Sequence, residues 1–133
     1  MTVIAGGGGR CGWVSTVLAI HNSATHGMCG PDSGELAVLP GRSPLSGDYK
    51  GHDEVVGFFA ETMRLSAGTF TIRIDDVLAA GDRVVVLCTV AAERNGESWS
   101  SFEVHVWRVV NQRAIEFWEY QGDQQTEDEF WSA

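Results

Sequence analysis

The stretch SSFEVHVWRVVNQRAIEFWEYQGD, residues 100–123, decides how the chain is read. It alternates apolar and polar residues with period two around a turn-forming Asn111-Gln112-Arg113, the pattern of two antiparallel strands joined as a hairpin. A histidine, His105, and a glutamate, Glu119, break the apolar rhythm. Working upstream, Asn95-Gly96 between two strand-like runs is the signature of a two-residue type I′ turn, whose geometry fixes register. Arg94 then faces Glu97, Cys88 faces Glu103, Val86 faces His105 and Val84 faces Trp107. Counting through the second hairpin with a three-residue loop, Val109 faces Ile115, Arg108 faces Glu116, Trp107 faces Phe117 and His105 faces Glu119. A four-residue loop would send His105 and Glu119 to opposite faces, because a one-residue slip inverts every side chain. The Arg108–Glu116 charge pair and the apolar matches favour the first register.

Strand-like runs at 69–78, 83–94, 97–110 and 114–121 with short connections predict an antiparallel meander. Before it, DEVVGFFAETMRL spaces Val55, Val56, Phe58, Phe59, Met63 and Leu65 as one apolar face of a helix, with His52 or Asp53 as its cap and Ser66-Ala67-Gly68 as its end. One sheet face carries Val84, Val86, Cys88, Val90, Trp99, Ser101, Glu103, His105 and Trp107; the other carries Val85, Leu87, Phe102, Val104 and Val106. Both faces are substantially apolar, so both require a cover, one of them helical and the other a second sheet or subunit.

His105 and Glu119 thus stand side by side, walled by Trp107, Phe117, Val84 and Val86, with Glu103 two residues along on the same face. Desolvation raises a carboxyl pKa and an adjacent imidazolium lowers it, so such a pair can hold a proton donor and acceptor near neutral pH. The competing reading is an ordinary histidine–glutamate pair on a wet sheet face.

The 133 residues suit a single domain, with 44% apolar and 20% charged residues, as in a globular protein. The net charge of −9, with nine scattered basic residues, disfavours nucleic acid and membrane surfaces. Three cysteines, Cys11, Cys29 and Cys88, cannot all pair and form no CxxC, which points to a reducing, cytoplasmic setting. No run is long enough for a transmembrane helix or shaped as a signal peptide. Residues 1–39 are glycine-rich and weakly patterned, with Trp13–Ile20 a possible short helix and Glu35–Leu39 a possible strand. Gly7-x-Gly9-x-x-Gly12 has the order of a dinucleotide-binding turn, but the βαβ context is missing and a glycine tether is favoured. His21, His26 and Cys29 match no zinc spacing, and no metal is expected.

The segments PGRSPLSGDYKGHDEVVGFF, DDVLAAGDRVVVL, FEVHVWRVVNQRAIEFWEY and DEFW, in this order and spacing, resemble SnoaL-like proteins. These are the polyketide cyclase-related branch of the superfamily that includes ketosteroid isomerase, scytalone dehydratase, limonene epoxide hydrolase and nuclear transport factor. The resemblance covers residues 40–131 and treats 1–133 as one domain whose first 39 residues are atypical. It implies an α+β fold: a curved antiparallel meander wrapped around N-terminal helices as a cone-shaped barrel with an internal apolar pocket. It also implies a homodimer through the outer sheet face. In cyclase-type relatives a histidine in the HVWRV strand and an acidic residue in the next strand act on the ligand, which here are His105 and Glu119; isomerases place an aspartate where His105 stands. Catalytic groups that relatives carry on their early elements have no match in residues 1–39, and the usual Asp-Gly-Lys turn is Asn111-Gln112-Arg113 here.

The expected function is therefore binding of a small hydrophobic molecule with cofactor-independent acid–base chemistry of the cyclase, isomerase or epoxide hydrolase kind. Glu119 is the acid or base, His105 orients it or steadies an oxyanion, and Glu103 is the second carboxylate that epoxide opening would want. Trp107, Trp99, Phe117, Val86 and Phe59 supply walls. A non-catalytic dimeric binding module of the same fold is the alternative. Arg42, Tyr49 and Asp76 are left open as pocket neighbours.

Overall fold

The computed structural model describes residues 2–5, 36–110 and 113–133. Its strands are β1 (Thr2–Ala5), β2 (Leu36–Leu39), β3 (Gly47–Lys50), β4 (Thr71–Ala80), β5 (Arg83–Arg94), β6 (Glu97–Val110) and β7 (Arg113–Gln121). Helix α1 (His52–Leu65) precedes β4, and helix α2 (Gln124–Ser132) follows β7. Among the described residues the strands form one sheet in the order β1-β4-β5-β6-β7-β2-β3, with β1 and β3 outermost.

The meander β4-β5-β6-β7 is antiparallel as the short connections demand. Asn95 and Gly96 both adopt positive φ, 53° and 81°, the type I′ geometry. That turn delivers the expected register: Arg94 opposite Glu97, Cys88 opposite Glu103, Val86 opposite His105 and Val84 opposite Trp107. In the last hairpin His105 pairs with Glu119, Trp107 with Phe117 and Arg108 with Glu116. The tip differs from expectation: Val109 pairs with Ala114, not Ile115, and Val110 with Arg113, so the register shifts between Arg108 and Val109. A bulge there absorbs the residue that the three-residue loop was expected to hold.

Beyond the meander, the sheet is mixed. β2 runs parallel to β7, with Val38 opposite Trp118, and β1 runs parallel to β4. β3, within a segment that read as a turn-rich connection, pairs antiparallel with β2. The early glycine turn, the possible Trp13–Ile20 helix, and His21, His26, Cys11 and Cys29 lie outside the described residues.

Helix α1 buries Val55, Phe58 and Thr62, one face at helical spacing, while Asp53, Glu54 and Arg64 stay exposed. Its cap departs from expectation: Gly51 holds the N-cap position at φ 81° with no side-chain cap bond. Instead Glu54 accepts from the Lys50 N–H at 2.7 Å, a reach backwards like that of a capping-box glutamate. At the other end Ala67 N–H donates to Arg64 O and Gly68 N–H to Met63 O, a Schellman closure. Ala67 occupies its left-handed position at φ 48°. Thr62 and Ser66 are buried, but their hydroxyls donate to Phe58 O and Thr62 O, so neither is left unsatisfied.

Helix α2 starts at Asp123, whose carboxylate accepts from the Thr126 N–H and hydroxyl. It buries Glu127, Phe130 and Trp131. Trp99 stacks on Phe130 at 5.2 Å and meets Trp131 edge-on at 5.9 Å. The Arg94 guanidinium donates to Phe130 O and Trp131 O, supplying donors and positive charge where a helix C-terminus lacks partners. Both helices thus cover the sheet face that carries Val84, Val86, Cys88 and Val90, all buried. On the opposite face Phe102, Tyr120 and Leu78 remain about half exposed. Among the described residues no helix is long and apolar enough to cross a membrane.

Candidate active site

Alternation along two strands builds the site. Positions 103, 105 and 107 of β6 and 117, 119 and 121 of β7 point to the covered face, and register sets Glu103 opposite Gln121 and His105 opposite Glu119. His105 and Glu103 are both 2% exposed, and the Glu119 side chain 12%. The wet-surface reading of this pair therefore does not fit: the groups sit in a dry interior.

Within the cluster, His105 Nε2 and Glu103 Oε2 share a hydrogen bond at 2.6 Å, while Glu119 Oε2 lies 4.0 Å from the same nitrogen. The imidazole thus turns to the carboxyl on its own strand, not to the one across from it. Gln121 bridges the two acids, its Nε2 donating to Glu103 Oε1 at 2.6 Å and Glu119 Oε1 at 2.7 Å. Glu127, arriving from α2, brings its carboxyl within 4.8 Å of those of Glu119 and Glu103 and accepts from Gln124 Nε2 at 2.7 Å.

The electrostatics follow from dryness. Burial pushes the Glu103 carboxyl up to about 8, against a small opposing effect of the Gln121 amide. Burial, then the Glu103 charge, raise Glu119 to about 8, with His105, Gln121 and Glu127 pulling the other way. Glu127 rises to about 9 through burial and repulsion from Glu119 and Glu103. The His105 imidazole is held below its ordinary value by burial, partly offset by Glu119. At neutral pH Glu103 and His105 together therefore carry one proton between them as a neutral unit. Cys88, fully buried, donates weakly from Sγ to Glu103 O, and burial pushes its thiol up.

A narrow cavity of about 30 Å³ reaches this cluster, lined by Phe58, Phe59, Thr62, Met63, Phe70, Ile72, His105, Trp107, Phe117 and Glu119. That volume exceeds what one water centre needs, roughly 10–15 Å³. The polar lining is Thr62, His105 and Glu119; the rest is apolar. Phe117 meets the His105 ring edge-on at 5.0 Å and Trp107 at 4.5 Å.

Of the residues singled out from sequence, His105, Glu119 and Glu103 come together, and Trp107, Phe117 and Phe59 line the cavity. Trp99 instead packs against α2, and Val86 is buried in the core outside the cavity lining. Tyr49 packs on Phe58 at 5.1 Å and donates to Leu45 O; burial raises its phenol, with Glu61 and Glu119 adding to the effect. Asp76 is exposed and accepts from the Val77 N–H, while the Arg42 backbone N–H donates to Asp128. Gln121 and Glu127 were missed. Gln121 simply continues the 117/119/121 alternation. Glu127 was signalled by the Asp123-x-x-Thr126 cap followed by the helical spacing 127, 130, 131.

Two sets of ligating atoms lie within 4.8 Å of one another, Cys88–Glu103–His105 and Glu103–Glu119–Glu127. These are the residues that could hold a metal. In the arrangement described, Glu103 is engaged by His105 and Gln121, and Glu119 by Gln121.

An uncharacterized protein of Mycobacterium tuberculosis is 28% identical over 95 residues, spanning 71% of this chain and 72% of that one. Bal32a, from a soil-derived mobile gene cassette, superposes with a TM-score of 0.78 at 28% identity, over 89% of this chain and 95% of the other. A putative SnoaL-like polyketide cyclase from Jannaschia superposes with a TM-score of 0.71 over 96% and 99% of the two chains; at 16% identity that is a likeness of fold. The SnoaL-like domain model matches residues 37–117, from β2 to the middle of β7. With its meander over two helices and its buried acid cluster on β6 and β7, the chain belongs to the SnoaL-like domain family.

Proposed function

We propose that the protein binds a small hydrophobic molecule between α1 and the β6–β7 hairpin and performs cofactor-independent acid–base chemistry on it. Cyclisation, isomerisation and epoxide opening all need such a site. The observation that carries this reading is a buried carboxyl, Glu119, at the wall of a mostly apolar cavity, where burial pushes it up to about 8. A buried acid poised near neutral pH can both take and return a proton. His105, held neutral beside it, orients the group and offers a hydrogen bond to charge that develops on a substrate oxygen. Glu103 and Gln121 fix His105 and Glu119 in place through short hydrogen bonds. Trp107, Phe117 and Phe59 exclude water and select an apolar ligand. A guest larger than water enters by displacing Phe59 and Met63, both only partly buried.

The same cavity would serve a non-catalytic binding module, and one variant separates the two readings. Glu119→Gln should leave the fold intact and retain binding of apolar polycyclic or terpenoid ligands, followed by tryptophan fluorescence. Turnover should fall by about 10²–10⁴, the usual contribution of a positioned acid or base. Retained turnover in that variant removes Glu119 from the chemistry. We also infer a homodimer through the outer face of β4–β7, where Leu78, Phe102 and Tyr120 leave apolar surface in water.

A further inference from the structure

The cavity at the acids has a neighbour. A second hollow, of about 10 Å³, lies toward the tip of the β6–β7 hairpin, where Leu36, Val55, Ala114 and Ile115 line it together with Phe59, Trp107 and Phe117. The last three also line the cavity that reaches His105 and Glu119. The two spaces therefore lie back to back, divided by the same three side chains.

The order of residues along each element places both hollows on one line. On β7 Glu119 belongs to the acid end, Phe117 to the divide, and Ile115 and Ala114 to the far end. On β6 His105 is followed by Trp107, the cross-strand partner of Phe117. On α1 Thr62 and Met63 belong to the acid end and Val55 to the far end, with Phe59 between them. The rise from Val55 to Thr62 along the helix is about 10 Å, and that from Ile115 to Glu119 along the strand roughly 13 Å. Both walls thus give a run of similar length.

Of the three dividing side chains, Phe59 is the one with room to move. Trp107 and Phe117 are 2% and 5% exposed and lie 4.5 Å apart on adjacent strands. Phe59 is only partly buried, on α1, with its ring 6.4 Å from that of Phe117. The two ends also differ in chemistry. The acid end offers Thr62, His105 and Glu119. The polar member of the far lining is Glu116, whose carboxylate accepts from Arg83 and Arg108 at 3.1 and 3.3 Å and so is engaged elsewhere. The rest of that lining is apolar.

We propose that the two hollows are the ends of one trough, and that Phe59 is the partition that determines how long a ligand the trough accepts. An elongated apolar molecule lies along Trp107 and Phe117, its oxygen function at Glu119 and His105 and its apolar end against Ile115, once Phe59 swings aside. A ligand of one ring stays at the acid end with Phe59 in place. The inference deepens the ligand-binding reading given above and rests on it.

The test uses phenol and 4-phenylphenol, which share a hydroxyl and differ by one ring in line with it. Each is titrated into the full chain, native and Phe59→Ala, and followed by methyl ¹H–¹³C NMR shifts. Phenol should move the methyls of Met63 and Ile72 at the acid end; 4-phenylphenol should also move those of Leu36, Val55 and Ile115. Phe59→Ala should raise the affinity for 4-phenylphenol relative to phenol by about 2- to 10-fold, the relief of a side chain otherwise forced from its preferred rotamer. A merely structural Phe59 would change both affinities alike. The trough is overturned if 4-phenylphenol moves only the acid-end methyls, or if the affinity ratio is the same in the variant. Should Phe59→Ala not fold, Phe59→Leu must shift the ratio in the same direction, and the methyl map of the native protein decides without either. Phenol binding combined with a failed ratio or map discards the trough alone. If neither probe binds the native protein or the variant, the hydrophobic-ligand reading falls and the trough with it.

Discussion

Replacing Glu103 with glutamine removes an ionisable group from the driest part of the site while keeping its shape and an acceptor for Gln121. In the folded protein burial pushes this carboxyl up to about 8, against an ordinary value of 4.5. The folded state therefore holds the proton longer than the unfolded chain. Its stabilising effect is fully present below about pH 4.5 and is lost as pH rises through 8. Integrating between pH 5 and pH 8, the native protein should lose about 3.5 kcal/mol from this group alone. The side chain is 3% exposed, so solvent screening does little to reduce the effect. Urea unfolding at pH 5, 6, 7 and 8, at one fixed protein concentration, reads it directly. The difference in stability between Glu103→Gln and the native protein should move by that amount in favour of the variant as pH rises. With slopes of about 1–3 kcal/mol per molar urea, the relative midpoint shifts by at least about 1 M. Parallel pH profiles for the two proteins would refute the dry, proton-sharing description of the cluster.

Trp99→Ala removes the ring between Phe130 and Trp131 and should destabilise by about 3–5 kcal/mol, with hydrogen exchange of residues 124–132 accelerating most. Ala67→Gly relieves a left-handed alanine at the end of α1 and should stabilise by roughly 0.5–1 kcal/mol, read as a higher melting temperature. Phe102→Glu places charge on the half-exposed outer face and should shift the protein to a monomer in sedimentation, without changing its circular dichroism.

What could be read in advance was what local geometry controls. Asn95-Gly96 determines the twist and pairing of β5 and β6, so each facing pair from Arg94–Glu97 to Val84–Trp107 follows by counting. The His105–Glu119 pairing followed from charge matching at Arg108–Glu116, although the tip is built differently. A bulge needs no distinctive residue, so Ile115 gave no sign of it. Parallel pairing of β2 with β7 was invisible for a related reason: no turn ties residues 36–39 to 116–118, and only packing in three dimensions brings them together. Trp99 was placed as a ligand wall because the strand face was known and its cover was not; Phe130 and Trp131 from α2 claim that surface. The choice of His105 between two nearby acids lies below the resolution of strand alternation. Both Glu103 and Glu119 were on the correct face, and a side-chain rotation settles which one the imidazole meets.

The irregularity between Arg108 and Val109 has a mechanical consequence. It separates the tip of the β6–β7 hairpin from the rungs that carry His105, Glu119 and Gln121, much as a slip joint isolates two lengths of track. Changes in tip length or twist are taken up at the joint and do not propagate to the acids as a reversal of facing. The separate, smaller hollow that Ala114 and Ile115 help line can thus be reshaped while the acids below keep their alignment.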